Sequence, residues 1–549
     1  MWYQKSLDKS NNDHLQRQYS NALRIVIVFA CLLLLTRALT LTHNMRLHPD
    51  EHVFVKSSIS LLNSLIRSTV SYETVKPYPE GTFVFHLPFH ALQYILFRIT
   101  GISQDPYIWG RIAGVFYFFM GWLLGSNILY SYFTKSRISL SVYGLAMCFS
   151  LLQIEQSRYG TGDPVSFFVI NTILLCCAVY IRKGKRLWFF LTCFSAGTLA
   201  AVKYPLLLFS LVPVLSLFIK EQRKDRILHL FLGIVFVIAG FLLFSPSVIR
   251  DWHYLQRVFL AETSQYLKGG SISEVGGFWN HLLSVILYHL LYSDIPLGPL
   301  FFLLGVATLH HKRAKTCDAS ENTGVLFCWI LPAVTVLFFF YNLFVPLLYF
   351  RTYYPFFCIS ILYGSFALGT WLGQRGFRQF FAVVVLSTLV FRGSSLVFAL
   401  IEVRPNDRLI ASAEAITGGQ ESRIIFLEPI QLFGLYDPGK AKKPENYETI
   451  TIDAFRNETD GSLEIAPGDL IITANFEFGR AQQYLLPVQN NTVNLMIDTW
   501  AEFKKINSPY LRETAYPRVY YYLFGYWLKG SSAGSLEFPD NYIYYRQRE

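Results

Sequence analysis

The stretch RLHPDEHVF, residues 46–54, directly follows the first long apolar run of the chain, residues 22–42. It places two adjacent carboxylates, Asp50 and Glu51, between two histidines at the end of a segment long enough to cross a bilayer. An ionised side chain beside a membrane segment is costly unless it meets water or a partner, so it marks a candidate functional site. Pro49 and the charges would also suit a solvated loop between two spans, so the assignment depends on the rest of the chain.

The composition is that of an α-helical polytopic membrane protein. Of 549 residues, 52% are hydrophobic and only 15% are charged, whereas soluble proteins carry about 25% charged residues. Apolar runs of bilayer length recur along the chain, and they predict about eleven to thirteen transmembrane helices. The predicted spans are 22–42, 108–131, 138–156, 164–181, 187–203, 205–219, 227–246, 279–309, 324–345, 352–372 and 378–400.

Two further helices are expected at the membrane surface. Residues 53–66 repeat apolar positions at helical spacing beside charged ones, which is typical of a short amphipathic helix. Residues 83–100 are long enough to span, but they carry His86, Pro88, His90 and Arg98. We expect them to form a half-buried interfacial helix, because only then do the later basic loops all fall on the cytoplasmic side.

The orientation follows from the distribution of charge. Residues 1–402 carry 33 Lys and Arg against 18 Asp and Glu, whereas residues 403–549 carry 15 against 19. The basic excess is concentrated in loops that the positive-inside rule places in the cytoplasm, so the net charge of +11 indicates orientation and not a nucleic-acid partner. The N-terminus is then cytoplasmic, and loops 43–107, 157–163 and 247–278 face outward.

The chain divides into a transmembrane domain, residues 1–402, and a C-terminal extracytoplasmic mixed α/β domain, residues 403–549. Residues 424–427 and 470–473 read as buried strands, with helical patterns near 406–417 and 478–486. None of the eight cysteines lies beyond residue 402, and no disulfide framework or CxxC metal motif is present. The cysteine-free exterior and the short loops favour a bacterial plasma membrane over the endoplasmic reticulum.

Polar side chains of two kinds converge on the predicted outer side. They are the carboxylates of Asp50, Glu51 and Asp163, the cations of Arg158, Lys203 and Arg351, and the nearby hydroxyl of Tyr354. Carboxylates can take a proton from a hydroxyl or an amine, and cations can hold a phosphate. Each also has an ordinary explanation: Lys203 and Arg351 could be interfacial, Asp163 could begin a helix, and Arg158 could pair with Glu155.

The motifs HPDEHVF, GRIAGVF, SRYGTGDPVSFF, AAVKYPLLLF and RTYYPFF, in this order within residues 22–402, resemble the C-type (GT-C fold) integral-membrane glycosyltransferases. The set is most similar to the family of protein O-mannosyltransferases and the bacterial lipid A aminoarabinose transferase. That resemblance implies a polyprenyl-phosphate-linked sugar as donor, used on the outer or lumenal leaflet, and generally inverting transfer of a hexose or pentose. The sugar stays open, as does the acceptor, among protein, lipid A, teichoic acid and lipid-linked glycan.

The resemblance also implies roles for particular residues. Asp50 matches the acid that activates the acceptor, with Glu51 orienting it or sharing its role, and Asp163 matches a second acid that places acceptor or sugar. Lys203 and Arg351 match positions near the lipid phosphate, which Arg158 could join, and Tyr354 lies beside Arg351. Loop 251–278 resembles a loop that covers the site in relatives and is expected to order on donor binding.

No cofactor is firmly implied. A divalent metal held by Asp50, Glu51, His52 and Asp163 is an alternative. The competing function is a transporter or flippase of lipid-linked sugars, which would need polar residues near the bilayer midplane and inverted repeats. A phosphotransferase acting on lipid head groups would need a metal site and an activated Ser or Thr. Charged residues clustered at the outer ends of spans favour the glycosyltransferase.

Overall fold

The computed structural model describes residues 2–41, 51–67, 79–102, 104–157, 159–220, 223–258, 260, 278–279, 282, 298–316, 322–344 and 353–402, and five strands of the tail. Within these ranges seven helices are long and apolar enough to cross a membrane. They are Ser20–Leu39, Pro106–Phe133, Gly162–Lys183, Asp225–Leu243, Thr323–Phe344, Tyr354–Leu372 and Phe377–Ser394. The chain is therefore an integral, multi-pass membrane protein.

The helical part contains sixteen helices within the described residues. Its helices are α1 (Trp2–Leu41), α2 (Glu51–Ile66), α3 (Gly81–Thr100), α4 (Pro106–Ile128), α5 (Arg137–Phe149), α6 (Leu151–Ser157), α7 (Gly162–Lys183), α8 (Arg186–Val202), α9 (Leu211–Lys220), α10 (Arg223–Leu243), α11 (Pro246–Arg250), α12 (Pro299–Thr316), α13 (Asn322–Val325), α14 (Leu331–Phe344), α15 (Tyr354–Leu372) and α16 (Phe377–Glu402). A 3₁₀ turn, Tyr204–Ser210, precedes α9, and π turns extend α4 and join α13 to α14.

The predicted span 138–156 is interrupted at Ser150, which separates α5 from α6. Ser150 is extended, and its hydroxyl accepts the backbone N–H of Gln153 at 3.2 Å. That bond satisfies one of the free donors at the start of α6, as a helix cap does. The cap at Ser150 thus divides the single predicted span into two helices, and α6 need not continue in the direction of α5.

The two predicted surface helices are present as α2 and α3, and they pack on each other. The Phe54 and Phe83 rings have centroids 5.9 Å apart, and Ser58 Oγ donates to the Phe83 carbonyl at 3.0 Å. Neither helix is among the seven apolar enough to span. Their position relative to the membrane surface remains a prediction from charge.

The transmembrane helices approach closely where glycines face a neighbour. A Cβ atom on Gly197 of α8 would collide with the Val237 carbonyl oxygen of α10, and one on Gly240 of α10 would collide with the Phe194 carbonyl oxygen of α8. Small residues at such crossings let helix backbones meet without a hydrophobic driving force between them. This close packing fixes the end of α8, where Lys203 lies.

The described residues of the tail form one mixed sheet. Its strands are β1 (Ile424–Leu427), β2 (Tyr447–Ile450), β3 (Leu470–Ala474), β4 (Phe503–Ile506) and β5 (Asn541–Arg546), in the order β2-β1-β3-β5-β4. Strand β1 is parallel to β2 and β3, and β5 is antiparallel to β3 and β4. The two strands predicted from sequence are β1 and β3, whereas the helices expected at 406–417 and 478–486 lie outside the described residues. The extracytoplasmic α/β domain stays a prediction.

Candidate active site

A buried ion pair joins the start of α2 to α4. Glu51 is fully buried, and Arg111 Nε donates to its Oε1 at 3.0 Å while Arg111 Nη2 donates to Oε2 at 3.2 Å. A guanidinium matches a carboxylate in this two-pronged way better than an ammonium can. Because removing two charges from water is costly, a buried pair persists only where other groups complete its hydrogen bonds.

The second outer loop supplies one of those hydrogen bonds. The Gly160 N–H donates to Glu51 Oε1 at 3.0 Å. A Cβ atom on Gly160 would lie 2.9 Å from the carbonyl carbon of Gly110, so only glycine lets this loop lie directly on α4 beside Arg111. Glu51 therefore ties three segments together: α2, α4 and the loop that leads to Asp163.

Arg111 also binds the end of α1. Its Nη1 donates to the carbonyl of Leu41, the last residue of that helix, at 3.3 Å. Leu41 and Glu51 are the described residues on either side of stretch 42–50. One side chain thus holds both ends of the stretch that carries Asp50.

A second carboxylate–cation pair lies at the ends of α7 and α8. Asp163 in the first turn of α7 forms an ion pair with Lys203 Nζ. Lys203 follows α8 in an extended conformation. The side chain of Asp163 is 2% exposed and that of Lys203 is 29% exposed, so the cation is the accessible member. The position of Asp163 near a helix N-terminus also favours its negative charge.

The start of α3 packs against this second pair. A Cβ atom on Gly81 would lie 2.7 Å from the Ala201 carbonyl carbon, two residues before Lys203. The preceding Glu80 is fully buried, and its Oε2 accepts the Ser247 N–H of α11 at 2.8 Å. Glu80 therefore connects α3 to the segment that precedes loop 251–278.

Tyr354 is placed inside the protein and not on a surface. It is fully buried at the start of α15, and its hydroxyl donates to Gln153 Oε1 of α6 at 2.8 Å. Asp163 is close enough to act electrostatically on both Tyr354 and Cys358. This hydrogen bond joins the start of α15 to α6, and contact of Tyr354 with a phosphate stays a prediction.

A buried arginine in α1 supports the same region. Arg37 Nη2 donates to the Met147 carbonyl at 2.9 Å and Nη1 to the Cys148 carbonyl at 3.3 Å. Its guanidinium lies 5.3 Å from the centre of the Phe118 ring. The last carbonyls of a helix lack intrahelical partners, so Arg37 satisfies the end of α5 directly before the interruption at Ser150.

The structure describes four of the seven site residues expected from sequence: Glu51, Asp163, Lys203 and Tyr354. It pairs Asp163 with Lys203, whereas Glu51 binds Arg111 and Tyr354 binds Gln153. The other three, Asp50, Arg158 and Arg351, lie outside the described residues, as does the side chain of His52. Glu51 already accepts three hydrogen bonds, so its geometry favours a positioning role. Among the residues described, no three His, Cys, Asp or Glu side chains are grouped to hold a metal ion.

Sequence reasoning assigned no role to Arg111, Arg37 or Glu80. Arg111 lies in GRIAGVF, whose two glycines four residues apart indicate a close contact on that helix face. Arg37 is a charge inside the first apolar run, which by itself marks a candidate functional or structural residue. Both signals were present in the sequence, but neither identified a partner.

Comparison with solved structures identifies the architecture. ArnT from Cupriavidus metallidurans in the apo state matches over 88% of this chain and 96% of its own, with a TM-score of 0.50 and 13% identity. The same protein bound to undecaprenyl phosphate gives 0.48 and 14% over the same shares. The archaeal oligosaccharyltransferase AglB from Archaeoglobus fulgidus, in complex with an inhibitory peptide and a dolichol-phosphate, gives 0.47 and 10%, over 74% of this chain and 62% of its own.

No protein-family model and no curated protein sequence matches this chain. The structural likeness to ArnT extends over almost the full length of both chains, although the sequences have diverged far. What is shared at this identity is the fold. The chain therefore has the C-type (GT-C) fold of ArnT that its ordered membrane motifs predict.

Proposed function

We propose that this protein is a glycosyltransferase that moves a sugar from a polyprenyl-phosphate donor to an acceptor on the outer or lumenal face of the membrane. The observation that carries the proposal is the junction of two carboxylate–cation pairs, Glu51–Arg111 and Asp163–Lys203. They meet through one loop, because Gly160 binds Glu51 and Asp163 follows three residues later. The site thus offers acids for an acceptor beside an accessible cation for a phosphate.

The fold supports the donor class. ArnT, whose fold this chain shares, has been solved bound to undecaprenyl phosphate. A lipid-linked donor suits a protein whose charged residues lie at the ends of apolar helices, because the lipid tail can stay in the bilayer while its phosphate reaches those charges. By the positive-inside orientation, these ends face away from the cytoplasm.

Asp50 is the proposed general base. It precedes Glu51, whose carboxylate is held by Arg111 and Gly160, so the backbone next to Asp50 is fixed from one side. The acceptor hydroxyl or amine gives its proton to the Asp50 carboxylate as its oxygen or nitrogen bonds to C1 of the sugar. The bond from C1 to the phosphate oxygen breaks, and the polyprenyl phosphate leaves with that electron pair. Attack opposite to the leaving group inverts the configuration at C1.

Lys203 is the proposed phosphate contact. An ammonium has three N–H donors, and Asp163 uses one of them, so two remain for phosphate oxygens on the exposed side. Arg158 and Arg351 are proposed to add charge to the leaving phosphate. Asp163 keeps Lys203 oriented and, with its second oxygen, is proposed to place the acceptor or the sugar.

The class is tested by offering purified protein a panel of undecaprenyl-phosphate sugars, including mannose, glucose, galactose, arabinofuranose and 4-aminoarabinose, with and without a chelator. We expect one donor to be consumed, with release of undecaprenyl phosphate, at a rate that the chelator leaves unchanged. If no donor is consumed and undecaprenyl phosphate does not bind, the glycosyltransferase assignment is wrong and a transporter becomes the better interpretation.

Lys203→Ala is expected to weaken the binding of undecaprenyl phosphate about tenfold or more, because a charged hydrogen bond contributes about 1.5–3 kcal/mol. Binding is measured directly in detergent, so that turnover does not enter. Lys135→Ala removes an exposed lysine after α4 and serves as the control. If the wild type and both variants bind undecaprenyl phosphate equally, Lys203 is an interfacial residue and not a phosphate contact.

A further inference from the structure

One face of α3 carries a row of buried polar side chains. Thr82, His86 and His90 follow one another at intervals of four residues, which places them on the same side of the helix. Thr82 and His86 are fully buried, and His90 is 1% exposed. The two imidazole rings have centroids 6.5 Å apart. A row of this kind on a helix packed against four others is unusual for residues that serve only to fill space.

Most polar atoms of the row have no hydrogen-bond partner within the described part of the chain. The unpartnered atoms are Thr82 Oγ1, both ring nitrogens of His86 and Nε2 of His90, whereas His90 Nδ1 meets Gln93 Oε1 at 3.2 Å. Buried polar groups in proteins are almost always hydrogen-bonded, and each one left unpaired is costly. The row therefore lacks, among the described residues, the donors and acceptors that a bound molecule could bring.

The chemistry of the row selects a neutral partner. Burial, with a contribution from His90, lowers the pKa of His86 to about 3, and burial also lowers the pKa of His90. Both rings are therefore neutral at physiological pH, and each offers one donor and one acceptor. Neutral donors and acceptors match hydroxyl groups, while they give a phosphate no counter-charge.

The row begins beside the proposed phosphate site. Thr82 Oγ1 lies 2.7 Å from the point that a Cβ atom on Gly162 would occupy, and Gly162 precedes Asp163, the partner of Lys203. From Thr82 the row extends about 12 Å along α3, at about 1.5 Å per residue. In a polyprenyl-phosphate sugar the ring is attached directly to the phosphate, so a phosphate at Lys203 leaves its sugar within reach of this row.

We propose that Thr82, His86 and His90 form the subsite for the transferred sugar and bind its hydroxyl groups. This assignment rests on the proposed function and names the part of the donor that α3 recognises. Thr161 Oγ1 is also buried without a protein partner in the described residues, and it adjoins Gly162, so it extends the subsite toward Asp163.

The test compares a lipid phosphate that carries the sugar with one that lacks it. Binding of bare undecaprenyl phosphate and of the consumed undecaprenyl-phosphate sugar is measured for wild type, His86→Leu, the milder His86→Gln and Thr82→Val. We expect His86→Leu and Thr82→Val to weaken the sugar-bearing lipid about tenfold, with the bare lipid unchanged and His86→Gln in between. His311→Leu, which removes an exposed histidine of α12, is the control.

The outcomes separate this assignment from the function on which it rests. Suppose that the wild type binds both lipids. If the variants then bind both lipids as the wild type does, or lose the binding of both equally, the sugar subsite is elsewhere and the proposed function stands. If wild type binds neither lipid, the proposed function is overturned together with the subsite. His86→Gln keeps a polar side chain of similar size, so lipid binding can still be measured with it if His86→Leu does not fold.

Discussion

Asp50→Asn is expected to lower the rate of sugar transfer about 10²–10⁴-fold, the contribution of a positioned general base, while donor binding stays within about twofold of wild type. Asparagine keeps the shape of the side chain but cannot accept a proton from the acceptor. The change removes no proposed phosphate contact, so the affinity for the donor has no reason to fall. Single-turnover transfer and equilibrium donor binding, measured on the same preparation, separate the two quantities.

The matched control for this variant is Asp225→Asn. Asp225 is about half exposed in α10 and pairs with Arg186 at 3.6 Å, away from the candidate site. We expect that variant to transfer at the wild-type rate. Transfer by Asp50→Asn at more than about a tenth of the wild-type rate would show that another group takes the proton, and Asp163 would then be the first alternative.

Arg111→Met is expected to destabilise the folded protein by about 3–5 kcal/mol, because it leaves the carboxylate of Glu51 buried without its cation. The same change releases the Leu41 carbonyl, so both ends of the stretch that carries Asp50 lose their common anchor. We therefore expect transfer to be lost as well. Stability is measured by unfolding in mixed detergent micelles, and transfer is measured well below the unfolding midpoint.

The double variant Glu51→Leu, Arg111→Met separates these two effects. Replacing both members of a buried ion pair with apolar groups is often neutral for stability, so we expect most of the lost stability to return. Transfer should stay low, since the Leu41 carbonyl does not regain its hydrogen bond and the Gly160 N–H also loses its acceptor. Recovery of transfer along with stability would show that the pair acts only on folding. For comparison, breaking the exposed Arg186–Asp225 pair should change stability by less than about 1 kcal/mol.

Glu51, the neighbour of Asp50 in the chain, shows where sequence reasoning reaches its limit. The sequence places Asp50 and Glu51 side by side after a membrane span, and adjacency alone suggests that they share a role. In the structure three donors from two distant segments already bind the Glu51 oxygens, which favours a positioning role for Glu51. Arg111 is 60 residues away in the chain, and nothing in the local pattern around Glu51 points to it.

Lys203 and Tyr354 show the same limit for the residues expected to contact the phosphate. Lys203 was expected near the lipid phosphate from the family resemblance, and Tyr354 because it lies beside Arg351. The structure pairs Lys203 with Asp163, 40 residues earlier, and buries the Tyr354 hydroxyl against Gln153, 201 residues earlier. Helix rotation decides which of the many polar side chains at a membrane surface faces a neighbouring helix. The apolar pattern of a fully buried helix does not specify that rotation.

The sequence by itself determined the class of the protein and the course of its chain. Bilayer thickness demands long apolar runs and internal hydrogen bonding demands helices there. Composition and length therefore sufficed for the seven described helices that are long and apolar enough to span, for α2 and α3, and for the strands at 424–427 and 470–473. The predicted spans 187–203 and 205–219 form shorter apolar helices, and part of 279–309 lies outside the described residues. Only the tertiary structure decided the interruption at Ser150, the Glu51–Arg111–Gly160 junction and the polar row on α3. Those features depend on contacts between residues far apart in the chain, at glycines such as Gly110 and Gly160 where backbones touch. Pairwise contacts of that kind leave no periodic signal in a single sequence.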